Sequence, residues 1–517
     1  MTETTEAPPR AAGGYWSSLV GEIDHKLFWA TAAFTLCVVA VGISSPDTLE
    51  GVSGTVKDYL SESFGWFYLF ATAAYIVIGF GIAFSRYGNL TLGAADEKPE
   101  FSFFSWVAML FSCGIGVGYI LWAVAEPLYH YMQTPYLAEP GTPEALPIAL
   151  NIATLHWGFH TWMIYSIVGL CIAFPAFRYG KPMTIGISLY GLLGERTQDS
   201  LWAKLLDFLG AFATIGGVST TLGFGIISLN YGISHLFGVE IGTGGKLILM
   251  TALIALYIFS AMSGLKRGIQ YLSNFNVITA IIWGSIILIF GPTTDLLNYM
   301  VHDVGGYISN FAYMSFWTDP IGKSGWLNWW TVFFILWATS WAPFTGGFIA
   351  RISRGRTIRE YVLGAVIVPT AIGIVWFSVV GGSAIYYETN GTLEIWEAVQ
   401  ADVGAGIYVL LEAMPWSTVL SYVVFINMAV FLVTSADSAS FFVAMQMAKG
   451  EYEPKPGLKV ICGLFLGSLA MVLLMSGGLK GLQAASIVAG SPFAIAIIVM
   501  IWSLLRMLRR EIANPHL

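Results

Sequence analysis

The chain has 517 residues, 56% of them hydrophobic and only 11% charged, with a net charge of −7 and a mean hydropathy of +0.70. A soluble domain carries about 25% charged residues, so this composition excludes a soluble enzyme and a disordered chain and leaves a polytopic membrane protein. The acidic balance argues against nucleic acid as a partner. The four cysteines, Cys37, Cys113, Cys171 and Cys462, sit inside apolar runs and show neither metal spacing nor a disulfide framework. Residues 1–25 open acidic and Pro/Gly-containing, without the charged start and apolar run of a signal peptide. They read as a disordered cytosolic tail.

Twelve apolar stretches approach the roughly 20 residues a helix needs to cross the hydrocarbon core: 27–46, 64–86, 101–133, 142–175, 207–235, 246–264, 269–291, 325–352, 357–384, 415–447, 458–478 and 483–508. The longest are expected to tilt or break. Residues 292–322 are aromatic and acidic and too polar to span, so the segment 292–324 is expected as an amphipathic helix on one surface. With the N-terminus inside, only Lys57, Lys246, Lys323 and Lys480 of the 24 basic residues fall outside. That bias places both termini in the cytosol and 292–324 outside. After the last span only the short tail 509–517 remains, which predicts uptake without tail-mediated osmotic activation.

Span 3 reads LFSCGIGVGYILWAVAEP, with Gly114, Gly116 and Gly118 alternating. Each glycine costs a helix about 1 kcal/mol relative to alanine. The run fits a close helix crossing or an unwound stretch lining a cavity. SWAPFTGG in span 8 again puts small residues and a breaker in an apolar run. Two interrupted segments in corresponding halves point to a carrier site, with spans 3–7 and 8–12 as inverted five-helix repeats and spans 1 and 2 outside them.

Trp157, Trp162 and Tyr165 in span 4 fall on roughly one helix face, and Trp337 and Trp341 on one face of span 8, with Phe344 three further on. Each alone reads as core packing. Converging beside a glycine-broken helix, they form a surface that attracts a desolvated quaternary ammonium by about 2 kcal/mol or more.

GIGVG with the following AEP, HWGFHTWMIY, SWAPFTGGFIARISRGRTIRE and FLVTSADSAS together resemble the betaine/choline/carnitine transporter family, over about residues 22–508. The resemblance implies an all-α integral membrane protein of 12 transmembrane helices with a LeuT-type fold: peripheral helices in 26–90, a first inverted repeat in 101–291 and a second in 325–508. It implies a homotrimer in the cell membrane, a bacterial cytoplasmic membrane being expected, and a small zwitterionic substrate. It places Trp157, Trp162 and Tyr165 in an aromatic substrate box, with Trp337 and Trp341 on the span 8 side. Betaine carriers of the family carry a further Trp where this chain has Ala338, so a larger or less purely quaternary solute fits. Choline carriers place an Asp at the position of Gly118. With no carboxylate expected near the box, a zwitterion fits better than choline, its anion meeting backbone N–H groups of the broken helix. The resemblance also implies a sodium site formed by the carbonyls of Ser112, Ile115 and Phe431 and the hydroxyls of Thr434 and Ser435. From the residues alone, those hydroxyls equally read as bonding their own helix. A second sodium site keeps Thr214 and Phe344, but its other threonine falls on Val218. No Lys or Arg lies between 208 and 235, so the fixed cation of sodium-independent exchangers is missing. The expectation is sodium-coupled symport of a betaine-like zwitterion by alternating access, with Na+ as the coupling ion and no organic cofactor. Proton coupling or substrate/product exchange of carnitine, ectoine, dimethylsulfoniopropionate or a taurine-like solute is the alternative.

Other groups carry less. His156 and His160 have a zinc-compatible spacing but no third ligand nearby in sequence. Glu126, before Pro127, reads as interfacial. Asp437 in SADSAS reads as bonding neighbouring hydroxyls, and Arg351, Arg354, Arg356 and Arg359 as anchoring a cytoplasmic loop. A channel would need a continuous polar lining or charged rings, and a membrane enzyme a nucleophile–base pair or metal set at depth. The spans supply neither.

Overall fold

A computed structural model describes residues 15–114, 116–263 and 266–513. Among these the secondary structure is helical, apart from one isolated bridge between Thr91 and Thr357. The main helices are α1 His25–Ser44, α2 Pro46–Phe84, α3 Phe103–Gly114, α4 Gly118–Met132, α5 Ala145–Trp157, α6 Phe159–Arg178, α7 Leu201–Phe237, α8 Thr243–Ser263, α9 Lys266–Phe290, α10 Thr293–Phe316, α11 Phe333–Arg351, α12 Ile358–Trp376, α13 Ser417–Met447 and α14 Pro456–Ala513. Nine helical stretches among the described residues are long and apolar enough to cross a membrane, or ten if a sharply bent pair counts as one span. The protein is therefore a multi-pass membrane protein.

Local chemistry sets the element ends. Asp24 caps α1 by accepting the amides of Lys26 and Leu27 at 3.0 and 3.1 Å. Pro46 occupies the first turn of α2, where its missing N–H costs nothing. Thr357 caps α12 through the Glu360 amide at 3.1 Å. α7 ends on Gly238 in the left-handed region.

The structure departs from twelve continuous stretches in four places. Span 3 divides into α3 and α4 at the glycine run. Span 4 divides at Gly158 into α5 and α6. There a Cβ would sit 2.4 Å from the Thr154 carbonyl oxygen, so only glycine fits. α2 begins far before residue 64, because Asp47, Glu50, Lys57, Asp58 and Glu62 lower hydropathy without opposing helix. The last two stretches form one helical run, α14, kinked at Gly478 with φ of 52°. α10 turns by 111° from the end of α9 and is fixed to α5 by Asp303, which accepts from Asn151 at 2.6 Å and Thr154 at 2.9 Å.

The α5–α6 span and the span that ends in α11 are each 94% buried over their apolar windows, and α7 is 89% buried, whereas α1 and α8 are 33% and 22% buried. The inner helices therefore pack on one another, with α11 against α6 and α7, and α14 against α7. Large side chains such as Trp29, Ile248, Phe259 and Trp502 face outward from the peripheral helices, as hydrocarbon contact requires.

One joint is tied outside the helices. The Leu92 amide donates to the Arg356 carbonyl at 2.8 Å, the Gly355 amide to Leu92 at 2.8 Å, and the Ile358 amide to Leu90 at 2.9 Å. Arg356 is buried there, donating to the Phe101 carbonyl at 2.8 Å, pairing with Glu360 and lying 4.3 Å over the Trp106 ring. Arg354 pairs with Glu97, Arg359 donates to the Ala83 carbonyl, and Arg351 lies over Phe441 and Tyr452. All four arginines are spent on internal contacts.

Candidate functional site

Where α3 ends and α4 begins, a narrow cavity with about 30 Å³ of free space lies between them and α6, α7 and α11. Gly114, Gly116, Gly118, Trp157, Tyr165, Trp337, Ala338 and Trp341 line it, joined by Thr161, Thr221 and Phe334. Eight of the nine residues proposed from sequence thus converge. Trp162 stands one layer back, its ring against Gly114 and its centroid 5.7 Å from that of Tyr165.

The alternating glycines have a packing reason. A Cβ at Gly114 would lie 2.3 Å from Trp162 Cη2, and one at Gly116 would lie 3.3 Å from Trp341 Cη2. One at Gly118 would lie 2.8 Å from Trp337 Cη2 and 2.9 Å from Trp157 Cη2. Each glycine faces an indole, so the broken segment and the tryptophans interlock. Trp157 and Trp337 meet edge-on at 5.7 Å, and Phe377, in a π-helical turn (Phe377–Gly381), stacks on Trp157. Trp337 donates its indole N–H to Thr221 Oγ1 at 3.2 Å. The buried Trp341 indole N–H finds no acceptor among the described residues. At about 30 Å³ the cavity holds about two water molecules.

Ser435 is half-buried, and its Oγ would lie 3.9 Å from a methyl placed on Gly116, so it faces the break in the helix. Thr434 donates to the Val430 and Phe431 carbonyls at 3.0 and 3.2 Å, the bonding within its own helix that the residues alone allowed. Ser112 belongs to the last turn of α3, where carbonyls lack helical partners. Ile115 lies outside the described residues. Thr214 bonds the Gly210 carbonyl at 2.9 Å, Val218 is fully buried, and Phe344 packs between Trp341 and Phe442.

Three expectations are overturned. Glu126 is not interfacial: it is fully buried. Its Oε1 meets His156 Nδ1 at 2.6 Å and His130 Nε2 at 3.3 Å, and its Oε2 accepts the Trp157 indole N–H at 2.7 Å. A carboxylate therefore does stand near the cavity, behind the indole of Trp157. The third partner that His156 lacked in sequence is supplied by folding. It joins His130 and Glu126, their ligating atoms within 4.8 Å of one another, while His160 stands apart because Gly158 breaks the helix between them. The sequence does carry one signal of this cluster, the four-residue spacing of Glu126 and His130 on one helix face. Asp437 accepts from Ser260 Oγ at 2.6 Å, a bond between α13 and α8.

Residues 26–513 match the profile of the betaine/carnitine/choline transporter family. The chain is 40% identical over 488 residues to the glycine betaine transporter OpuD of Bacillus subtilis, covering 94% of each chain. It is 36% identical over 489 residues to an ectoine/hydroxyectoine transporter of Virgibacillus pantothenticus, covering 94% of this chain and 97% of that one. It is 35% identical over 510 residues to the osmo-dependent choline transporter BetT2 of Acinetobacter baylyi, covering 97% of this chain and 74% of the relative. A multi-pass helical protein with this match over nearly its whole length is a transporter rather than an enzyme, and it belongs to the betaine/carnitine/choline transporter family.

Proposed function

We propose that the chain is a sodium-coupled secondary carrier that takes up a betaine-like zwitterion by alternating access. In this reading residues 101–291 and 325–508 are inverted five-helix repeats completing twelve spans of a LeuT-type fold, with both termini in the cytosol of a cell and the chain assembled as a homotrimer. The observation that carries the proposal is the convergence of Trp157, Tyr165, Trp337 and Trp341 on the glycine break. Aromatic faces receive the cationic end of the solute, and the unpartnered Trp341 N–H, with amides of the broken helix, receives its carboxylate. Sodium held by Phe431, Thr434, Ser435, Ser112 and Ile115 would order the joint of α3, α4 and α13 and so preorganise the chamber. Thr214 and Phe344 would contribute to a second ion site only weakly, because Val218 offers no oxygen.

Tryptophan fluorescence of the purified protein tests this, titrated with glycine betaine, carnitine, ectoine, dimethylsulfoniopropionate and taurine in sodium and in potassium. A response to one solute only in sodium is expected. Equal responses in both salts would refute sodium coupling and leave proton coupling or exchange. That second reading is favoured by one observation, the titratable cluster of Glu126, His130 and His156 directly behind Trp157.

A further inference from the structure

Glu126 sits on α4 with no contact to water. Among the described residues no Lys or Arg pairs with it, and its ion-pair partners are the imidazoles of His130 and His156. His156 Nε2 meets Thr331 Oγ1 at 2.9 Å, while His130 packs against Trp330 and Trp326 and its Nδ1 finds no partner among the described residues. Three other titratable groups face the cluster from neighbouring positions. Tyr119, two turns before Glu126 on the same face of α4, packs on Trp157 with ring centroids 4.7 Å apart. His160 follows the Gly158 break on α6. Asp303 on α10 is bonded to Asn151 and Thr154 at the far side of α5.

A bare carboxylate this deep is expensive unless neutralised, and imidazole is the available neutralising group. The cluster therefore has two states. With one proton shared between Glu126 and His156 it is neutral. Without that proton it carries one negative charge, a single indole away from the cavity. A neutral wall suits a zwitterion, which brings its own anion. A negative wall suits a bare quaternary ammonium cation, for which the glycine run offers no carboxylate because residue 118 is glycine.

We propose that Glu126, His130 and His156 form a buried proton-binding site behind Trp157, and that its protonation sets whether the chamber favours a zwitterion or a cation. The proposal rests on the reading of the cavity as the solute chamber. The test uses the full-length protein in lipid nanodiscs, with affinities for glycine betaine and choline read by tryptophan fluorescence across roughly pH 5.5 to 8.5, the range in which imidazole changes charge. The expected result is that the preference for glycine betaine over choline falls about tenfold as pH rises, as one charge at this separation predicts. In Glu126→Gln, whose amide still accepts from Trp157, the preference should be flat. A flat preference in the unmodified protein, or a slope retained in both Glu126→Gln and His156→Gln, overturns the proposal.

A measurement that needs no solute separates the two readings. In 15N-histidine-labelled protein, His156 should change protonation within this range, and cease to do so in Glu126→Gln. If neither solute binds but that titration is seen, the solute reading fails and the proton site stands. If the ring-nitrogen resonances of His130 and His156 do not shift anywhere in this range, the proton site fails. Stoichiometric zinc that purifies with the protein and is lost in His130→Gln overturns it as well, since the cluster would then be a metal centre.

Discussion

Adding one methyl group at Gly118 probes the interlock between the broken helix and the indoles. The new Cβ would lie 2.8 Å from Trp337 Cη2 and 2.9 Å from Trp157 Cη2, against the 3.4–4 Å of ordinary contact. Two ring edges must each retreat by about 0.6 Å, and both rings are themselves packed, Trp337 by Phe224 and Phe333 and Trp157 by Tyr119 and Phe377. Overpacking of this kind costs about 1–3 kcal/mol. The same methyl group points into a cavity with only about 30 Å³ of free space. Gly118→Ala is therefore expected to weaken solute binding by tenfold or more in a fluorescence titration and to lower the unfolding temperature by about 2 °C. Gly116→Ala, at 3.3 Å from one ring, should lose less. Gly81→Ala, where a Cβ meets nothing within 4 Å, should leave binding unchanged. A Gly118→Ala protein that binds as tightly as the Gly81→Ala control would refute the claim that these glycines are set by the indoles.

Other consequences are open to direct measurement. Thr434→Ala should raise the sodium concentration for half-maximal uptake several-fold with little change at saturating sodium; unchanged sodium dependence would remove Thr434 from the ion site. Trp341→Phe keeps an aromatic face but loses the N–H, and should weaken a zwitterion about tenfold, as for a hydrogen bond to a charged group, while sparing choline; equal losses for both would deny Trp341 a role toward the carboxylate. Glu511 accepts from Arg178 Nε at 2.7 Å and Tyr179 at 3.2 Å, so Glu511→Ala should destabilise the protein by about 1–3 kcal/mol, and a tail-truncation test of osmotic response must begin after Glu511. The Ala94 amide, with help from Arg354, holds the half-buried Glu97 carboxyl below its ordinary value of 4.5. The stabilisation is therefore complete above that value and lost as pH falls through the lower folded value. Hydrogen exchange at the Ala94 amide should accelerate below about pH 4.5 and be insensitive to pH beyond the intrinsic rate in Glu97→Gln.

The helical membrane class was legible because apolar run length is a local property. So was the convergence of the glycine run with Trp157, Tyr165, Trp337 and Trp341, through motif and spacing together. The break at Gly158 was not, since a single glycine inside a helical pattern is tolerated and the close approach that demands glycine comes from a carbonyl one turn away. That break also removes the helical spacing by which Trp157 and Trp162 were placed on one face, and Trp162 consequently packs behind Gly114. Glu126 was misplaced for a different reason. Its shortest contact, His156 at 2.6 Å, lies 30 residues along the chain, and the four-residue spacing to His130 does not by itself show that the pair is buried.

If the proposed chamber opens by a tilt of α11, the backbone seam joining residues 90–92 to 355–358 is its fulcrum. It fixes the end of α11 at Arg351, while Trp337 lies about 21 Å up the same helix at 1.5 Å per residue. On a lever of that length a tilt of about 5° carries the indole through about 2 Å, enough to turn a space for water into one for a methylated ammonium group. The joint between α11 and α12 need not itself move for the chamber to open, and loosening it would blunt the stroke rather than ease it.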